Sequence, residues 1–319
     1  MNKYIKIILA LAAITAIVVV VLDYISTQPD KRPANPFEYN IDEFRETDEG
    51  LIGYREIRQI SLGDVEPRNF AYGNGKIFLI TKKLLQIITP TGNEIFRATL
   101  DYTPNCITQL NEDNILIGFE NFIVKYDTER NELLRTEIKS DKSYFTSIAV
   151  SSENIFVADA GEKKVLVYNH KLEKISDFKG ESGVSDFHGF ILPSAHFHLA
   201  VNTEDELWVV NPGMHIIQNY TPTGRLRGYW GKPSFGHDGF SGCCNPSYFA
   251  FLSNGDFVTS EKGLVRIKVH RESGEFKALV TSPKVFRNSS KALPIAVDEN
   301  DIILALDFDE KLIRFFELK

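Results

Sequence analysis

The sequence predicts an all-β fold: a six-bladed β-propeller of four-stranded blades, with an N-terminal strand closing the last blade and one N-terminal transmembrane helix ahead of it. Three observations lead there. A strand pattern recurs six times with a period of about 45 residues, the size of one propeller blade. The segments between strands carry hairpin chemistry, as in Gly73-Asn74-Gly75 and Thr221-Pro222-Thr223-Gly224. The chain holds 23 Phe and 12 Tyr against 2 Met, a balance that suits strands better than helices.

Each repeat opens with a short strand around a small central residue. These strands are Asn69–Tyr72, Cys106–Gln109, Ser147–Val150, His198–Val201, Tyr248–Phe251 and Pro294–Val297, and the central residue is Ala in all but the second, where it is Thr108. Innermost strands crowd around the axis, where a large side chain would collide. Apolar second strands follow: Lys76–Thr81, Asn114–Phe119, Asn154–Asp159, Glu206–Asn211, Asp256–Glu261 and Ile302–Asp307. The sixth repeat stops at its third strand, Leu312–Leu318, whereas Tyr54–Leu62 is a strand without a repeat of its own. Placing Tyr54–Leu62 outside Leu312–Leu318 closes the ring and covers an otherwise open edge.

Ahead of the repeats, Lys3 and Lys6 precede an apolar run from Ile7 to Leu22 that ends at Asp23. As helix this run spans roughly 24 Å, short of a ~30 Å hydrocarbon core, and Ile5, Tyr24 and Ile25 make up the difference. The flanking lysines put the N-terminus inside and the rest of the chain on the periplasmic or extracellular side of the cytoplasmic membrane. Asp23–Gln28 offers no small-x-small cleavage site and no cysteine follows the run, so an uncleaved single-pass anchor is expected over a cleaved signal peptide. The expected organisation is an anchor over 1–27, a linker over 28–48 punctuated by Pro29, Pro33 and Pro36, and a propeller over 49–319. A formal charge of −7 without any basic block excludes a nucleic-acid surface.

Two groups of residues stand out. The first is the ring of positions just before the inner strands, where loops gather at one mouth of the channel: Arg68 and Asn69, Asn105 and Cys106, Thr146 and Ser147, His196 and His198, Ser247 and Tyr248, and the apolar Leu293 and Pro294. Polar residues also cap loop-to-strand junctions, but as a ring they form a candidate ligand-binding pocket. His188, His196, His198, His215 and His237 fall in one stretch, and His196 and His198, two apart on a strand, share a face. Such a pair is a candidate ligand set for a divalent metal. The second group is Cys243-Cys244, inside the long loop Gly228–Gly242 and its continuation, which is expected to reach over the mouth. Cys106 belongs to the second blade and the pair to the fifth, on opposite sides of a six-membered ring. A vicinal disulfide is therefore expected, with two buried thiols, or a redox or metal role, as the alternatives.

The run of Pro-x-x-apolar-Ala followed by apolar-x-Val-x-Asp resembles the NHL-repeat branch of β-propellers, most closely at Ser147–Val150 with Ile155–Asp159 and at Pro246–Phe251 with Phe257–Glu261. Gly239-Phe240-Ser241-Gly242-Cys243-Cys244-Asn245-Pro246 is similar to a bacterial subgroup of that branch. The resemblance implies a six-bladed propeller that serves as a binding platform for a protein, a small molecule or a glycan. Some related propellers are metal-dependent lactonases or amidating lyases, and Glu66-Pro67 and Asn105 resemble their early-blade ligand positions, but their later Asn and Ser-Asp-Gly signatures are absent. No Ser-His-Asp spacing, paired acid or cofactor fingerprint is present. Three functions therefore follow as expectations: a binding platform first, a metal-dependent hydrolase or lyase second, and a redox protein using Cys243 and Cys244 third.

Overall fold

The computed structural model describes residues 3–27, 41–129, 131–138, 140–180, 188–286 and 291–319. It divides into two units, residues 1–43 and residues 44–319. In the first, Lys3–Ser26 is one α-helix, long and apolar enough to cross a membrane, with no residue buried. Of the linker expected over 28–48, residues 28–40 lie outside the described residues. Its last part belongs to the second unit: Phe44 stacks on Phe235 and Glu46 pairs with Lys284 at 2.7 Å.

The second unit contains six antiparallel sheets of four strands. Their inner strands are Pro67–Gly73, Cys106–Asn111, Phe145–Val150, Leu199–Val201, Tyr248–Phe251 and Ile295–Val297, in blades I to VI. Each inner strand contacts those of the two neighbouring blades, and that of blade VI returns to that of blade I, so the ring is complete. The small residues Ala71, Thr108, Ala149, Ala200, Ala250 and Ala296 all line the central channel.

Burial follows position within the blade. The second strands are buried along nearly their whole length, as in Lys76–Thr81 and Ile303–Asp307, because both blade faces pack on neighbours. That is why they read as continuous apolar runs instead of alternating ones. The outer strands face solvent on one side and alternate, as in Glu94–Thr99.

Tyr54–Ser61 pairs with Leu312–Leu318 as the outer strand of blade VI. Tyr54 and Ile60 are buried in the seam, Arg58 lies over the Phe315 ring, and Arg314 bridges Asp307 and Glu56 at 2.9 and 3.1 Å. Two neighbouring-blade contacts repeat a single device on the face opposite the loops that enter the inner strands. Asp205 accepts from the backbone and hydroxyl of Ser152, and Asp301 does the same with Ser253, at 2.6–2.8 Å.

The residue at the end of the second strand, or in blade V the one just past it, has a shared role. Asp159, Asn211 and Glu261 are all fully buried, and each accepts a backbone N–H from the loop that enters its own blade: Tyr144, Ile191 and Ser241, at 2.9–3.0 Å. The acidic end of the apolar-x-Val-x-Asp run is thus a clamp on the incoming loop. In blade V the clamp is elaborated. Glu261 also meets Arg266 at 3.0 Å and Lys268 at 2.9 Å, all three side chains fully buried. Arg266 reaches on to the Phe235 carbonyl at 2.8 Å, and Lys268 donates to the Gly239 carbonyl and sits over the Phe240 ring.

This clamp corrects the expectation for the long loop. Its aromatic tip does not cover the channel. Phe235 stacks on Phe44, His237 stacks on Phe276 of the outer strand of blade V, and Trp230 and Phe240 are buried in the core. Only the returning segment, Cys243–Ser247, comes back toward the inner strand of blade V.

Candidate functional site

The loops that enter the inner strands enclose a cavity of about 190 Å³ at one mouth of the channel. Blades I to V supply its walls: Arg68, Asn69, Asn105, Tyr144, Thr146, Ala195, His196, Phe197, His198 and Tyr248. Blade VI contributes none of them, and its Leu293 and Pro294 are buried.

Strand alternation decides which of the expected residues reach the cavity. Neighbouring residues point to opposite sides, so one of each adjacent pair lines the mouth and the other enters the space between blades. Asn105, Thr146 and Tyr248 line it. Their partners Cys106, Ser147 and Ser247 are buried and stand outside it. Arg68 and Asn69 both reach the mouth because the register of their strand shifts between Pro67 and Asn69, a bulge that turns two successive side chains the same way. His196 and His198 both face it, with Phe197 buried between them. Tyr144 was not among the expected residues. It precedes a second register shift, between Phe145 and Ser147, that the sequence does not announce.

The mouth is held by contacts between blades. Arg68 donates to Asn105 Oδ1 at 3.0 Å and Asn69 to the Asn105 carbonyl at 3.3 Å. Thr146 donates to the Phe197 carbonyl at 2.6 Å. His198 ties three consecutive blades: Nε2 lies 3.0 Å from the Phe249 carbonyl and Nδ1 3.1 Å from Ser147 Oγ. A carbonyl only accepts, so Nε2 carries the proton and Nδ1 accepts from the serine. Burial holds both imidazoles neutral, pushing His196 and His198 down to about 4, with Lys262 adding to the effect at His196. Burial raises the Tyr248 hydroxyl to about 12, so it stays a donor.

The donor set does not fit a divalent metal. Both nitrogens of His198 are committed within the protein, no carboxylate lines the cavity, and no cluster of three His, Cys, Asp or Glu occurs among the described residues. Glu66 lines a separate surface hollow with Asp64, Lys82 and Arg97. The other expected histidines also lie elsewhere: His237 rests on Phe276, and His215 and His188 are not in the mouth. What the mouth does offer is hydrogen-bond donors. No carboxylate pairs with Arg68 among the described residues, and Asn105 Nδ2 has no partner in the protein.

The opposite end of the channel holds a larger cavity, about 540 Å³, with Asp298, Glu299 and Asp301 at its rim. Its acids are already satisfied. Asp301 is bound by Ser253, Asp298 accepts from Asn300 and Ile302, and Glu299 accepts from the Tyr72 hydroxyl. Gln109 Nε2 lines this larger cavity and, like Asn105 Nδ2 at the smaller one, has no partner in the protein. What distinguishes the smaller mouth as the binding end is a cationic donor, Arg68, with no carboxylate in the lining.

Beside that mouth, the Cys243 and Cys244 sulfurs lie 3.2 Å apart and unbonded. Cys243 is exposed and Cys244 buried. The vicinal disulfide placed first in the sequence reading is not the form seen here, nor are both thiols buried. Cys106 is free and buried on the other side of the ring, its thiol pushed up to about 12 by burial.

No family model and no curated protein matches the sequence significantly. Solved structures do match in fold. A selenomethionine-substituted virginiamycin B lyase from Staphylococcus aureus aligns with a TM-score of 0.58 and 12% identity over 83% of this chain and 100% of that one. A streptogramin B lyase aligns at 0.57 and 11% identity, over 85% and 100%. A Bacteroides caccae protein of unknown function aligns at 0.51 and 16% identity, over 78% and 82%. At these identities the likeness is one of fold, and this chain is a six-bladed β-propeller of the architecture those lyases share.

Proposed function

We propose that the protein is a membrane-anchored binding platform whose channel mouth captures a small acceptor-rich group, a carboxylate or a carbonyl, belonging to a small molecule, a glycan or a protein terminus. One observation carries this reading: a cavity of about 190 Å³ lined by donors, in which Arg68 meets Asn105 Oδ1 but no carboxylate and Asn105 Nδ2 has no partner. Neutral His196 and the Tyr248 hydroxyl complete the set. The cavity suits a group of a few heavy atoms, or the end of a larger ligand. His198 has the separate task of holding blades III, IV and V in register.

The test is a thermal-shift screen of carboxylate-bearing sugars, peptides and small acids against the purified chain. Arg68→Met is expected to weaken any hit at least tenfold and to leave the melting temperature of the free protein within a few degrees, because Arg68 is not part of the core. Affinity should stay flat from pH 5 to 8, since His196 remains neutral above about 4. A hit that survives Arg68→Met, or that strengthens as pH falls through 6–7, would overturn the reading. The lyase names among the fold neighbours favour a second reading, in which His196 acts as a proton acceptor on a bound substrate. A distinct product on incubation with quinupristin, the compound held by an inactive S. aureus virginiamycin B lyase, would support that second reading. The binding reading expects the compound to be recovered unchanged.

The anchor is proposed on the Lys3–Ser26 helix, which is long and apolar enough to cross a membrane. The lysines ahead of its apolar run support an orientation with the propeller outside. Membrane fractionation followed by intact-mass analysis should find the chain in the membrane with Lys3–Ser26 still attached. A soluble mature form beginning near residue 28 would show a signal peptide instead.

A further inference from the structure

We propose that Cys243 and Cys244 form a thiol–disulfide exchange site, separate from the ligand mouth, that accepts an exposed disulfide as its substrate. The geometry divides the labour between the two sulfurs. Cys243 is exposed, Cys244 is 1% exposed, and 3.2 Å separates them. An outside disulfide therefore reaches only Cys243, and Cys244 waits within reach of whatever forms there.

The surroundings are built and polar. Asn245 donates to the carbonyls of Ser241 and Lys262 and accepts from the Lys262 N–H at 2.8 Å, so the dithiol segment is laced to the turn that carries Lys262. Lys262 Nζ donates to Ser194 Oγ at 3.3 Å, and both groups lie beside the Cys244 sulfur. Burial pushes the Cys244 thiol up, but Ser194, Cys243 and Lys262 outweigh it and hold Cys244 below an ordinary thiol. Its hydrogen bond to Cys244 raises Cys243. Exchange needs an accessible sulfur to attack and a second sulfur within reach to resolve the mixed disulfide. Cys243 supplies the first, through the minor thiolate fraction of an exposed thiol, and Cys244 the second.

Cys243, as thiolate, attacks one sulfur of a disulfide R–S–S–R′. The Cys243–S–S–R bond forms, the substrate S–S bond breaks, and R′S⁻ leaves and takes a proton. The Cys244 thiolate then attacks Cys243 Sγ and expels RS⁻, which takes the second proton. Two electrons pass from the cysteines to the substrate, which is reduced to two thiols, and the cysteines end as a disulfide. Neighbouring cysteines are linked by one peptide, with Cα atoms closer than the ~4.4–6.8 Å usual for a bridge, so the product is strained and readily reduced again. That marks the pair as exchanging rather than structural.

The test uses the reduced full-length chain in detergent, glutathione disulfide as oxidant, and acid quenching followed by maleimide labelling and peptide mass analysis. In the wild type, the peptide bearing Cys243 and Cys244 is expected to lose two hydrogens and refuse maleimide, with little persistent glutathione adduct. Cys244→Ser should accumulate the Cys243 adduct at least tenfold over wild type. Cys243→Ser should form none, and Cys106 should label only after unfolding. Lys262→Met should slow closure several-fold at pH 7 and leave the adduct visible for longer. Wild-type protein that keeps both thiols maleimide-reactive, or that stops at a stable adduct, overturns the proposal, and this wild-type result decides even if a variant fails to fold.

Discussion

Deletion of residues 49–62 is expected to make the propeller aggregate and to lower its melting temperature by roughly ten degrees or more. The seam between Tyr54–Ser61 and Leu312–Leu318 is the reason. Without the first strand, Leu312–Leu318 becomes a bare edge carrying Ile313, Phe315 and Phe316, all fully buried in the intact ring. Unpaired apolar edges recruit other chains. The deletion also removes the burial of Tyr54 and Ile60, worth roughly 3–6 kcal/mol together. It strips Glu56 from Arg314 and the Arg58 guanidinium from the Phe315 face. Size-exclusion chromatography with light scattering and a thermal melt would measure both effects. A truncated chain that stayed monomeric with an unchanged melt would refute closure as the source of stability.

The second large effect is expected at Glu261. Two buried cations, Arg266 and Lys268, share this one buried carboxylate. Glu261→Ala leaves both unpaired in a dry site and should cost about 3–5 kcal/mol in a urea titration. It also releases the Ser241 N–H, and with it the loop leading to the cysteine pair. Lys268→Met should behave differently. It removes the surplus cation and leaves a one-to-one pair, so the cost should be small or reversed. Equal destabilisation by the two variants would refute this account. Burial pushes Lys268 down to about 8, against the opposing pull of Glu261. Between pH 8 and about 10 the unfolded chain therefore holds more protons at this lysine than the folded one, and stability should rise with pH across that window. The rise should vanish in Lys268→Met.

Blade count, strand order and seam were legible in the sequence because each rests on a repeated pattern: a small residue every 45 or so positions, a turn after it, and one strand too many at the start for one too few at the end. The mouth was legible in outline. Arg68, Asn69, Asn105, His196, His198 and Tyr248 were expected there and line it. Cys106, Ser147 and Ser247 were expected beside them and lie in the core, a sorting that period-two alternation could have made in advance. Tyr144 was not legible, because a bulge shifts the register with no sequence mark of its own. Nor was the path of the long loop. Its length and glycines read as a loop over the channel mouth, and the deciding force, an ion cluster formed by Glu261, Arg266 and Lys268, arises only when a strand end and a neighbouring strand come together.

The seam also sets a timetable. Arg55 and Glu317, which face each other across it, stand 262 residues apart in the chain. As the protein is made, the strand that begins the ring is among the first parts of the propeller to emerge, and its partner is among the last. The entropy of closing so long a loop grows only logarithmically, by about 0.6 kcal/mol per doubling, so distance is a modest thermodynamic burden. Its kinetic weight is greater, since contacts between remote segments form late. Blades I to V can assemble from local hairpins as they appear, but the circle is sealed only at the end. Until then the nascent molecule is an open arc with two unfinished ends.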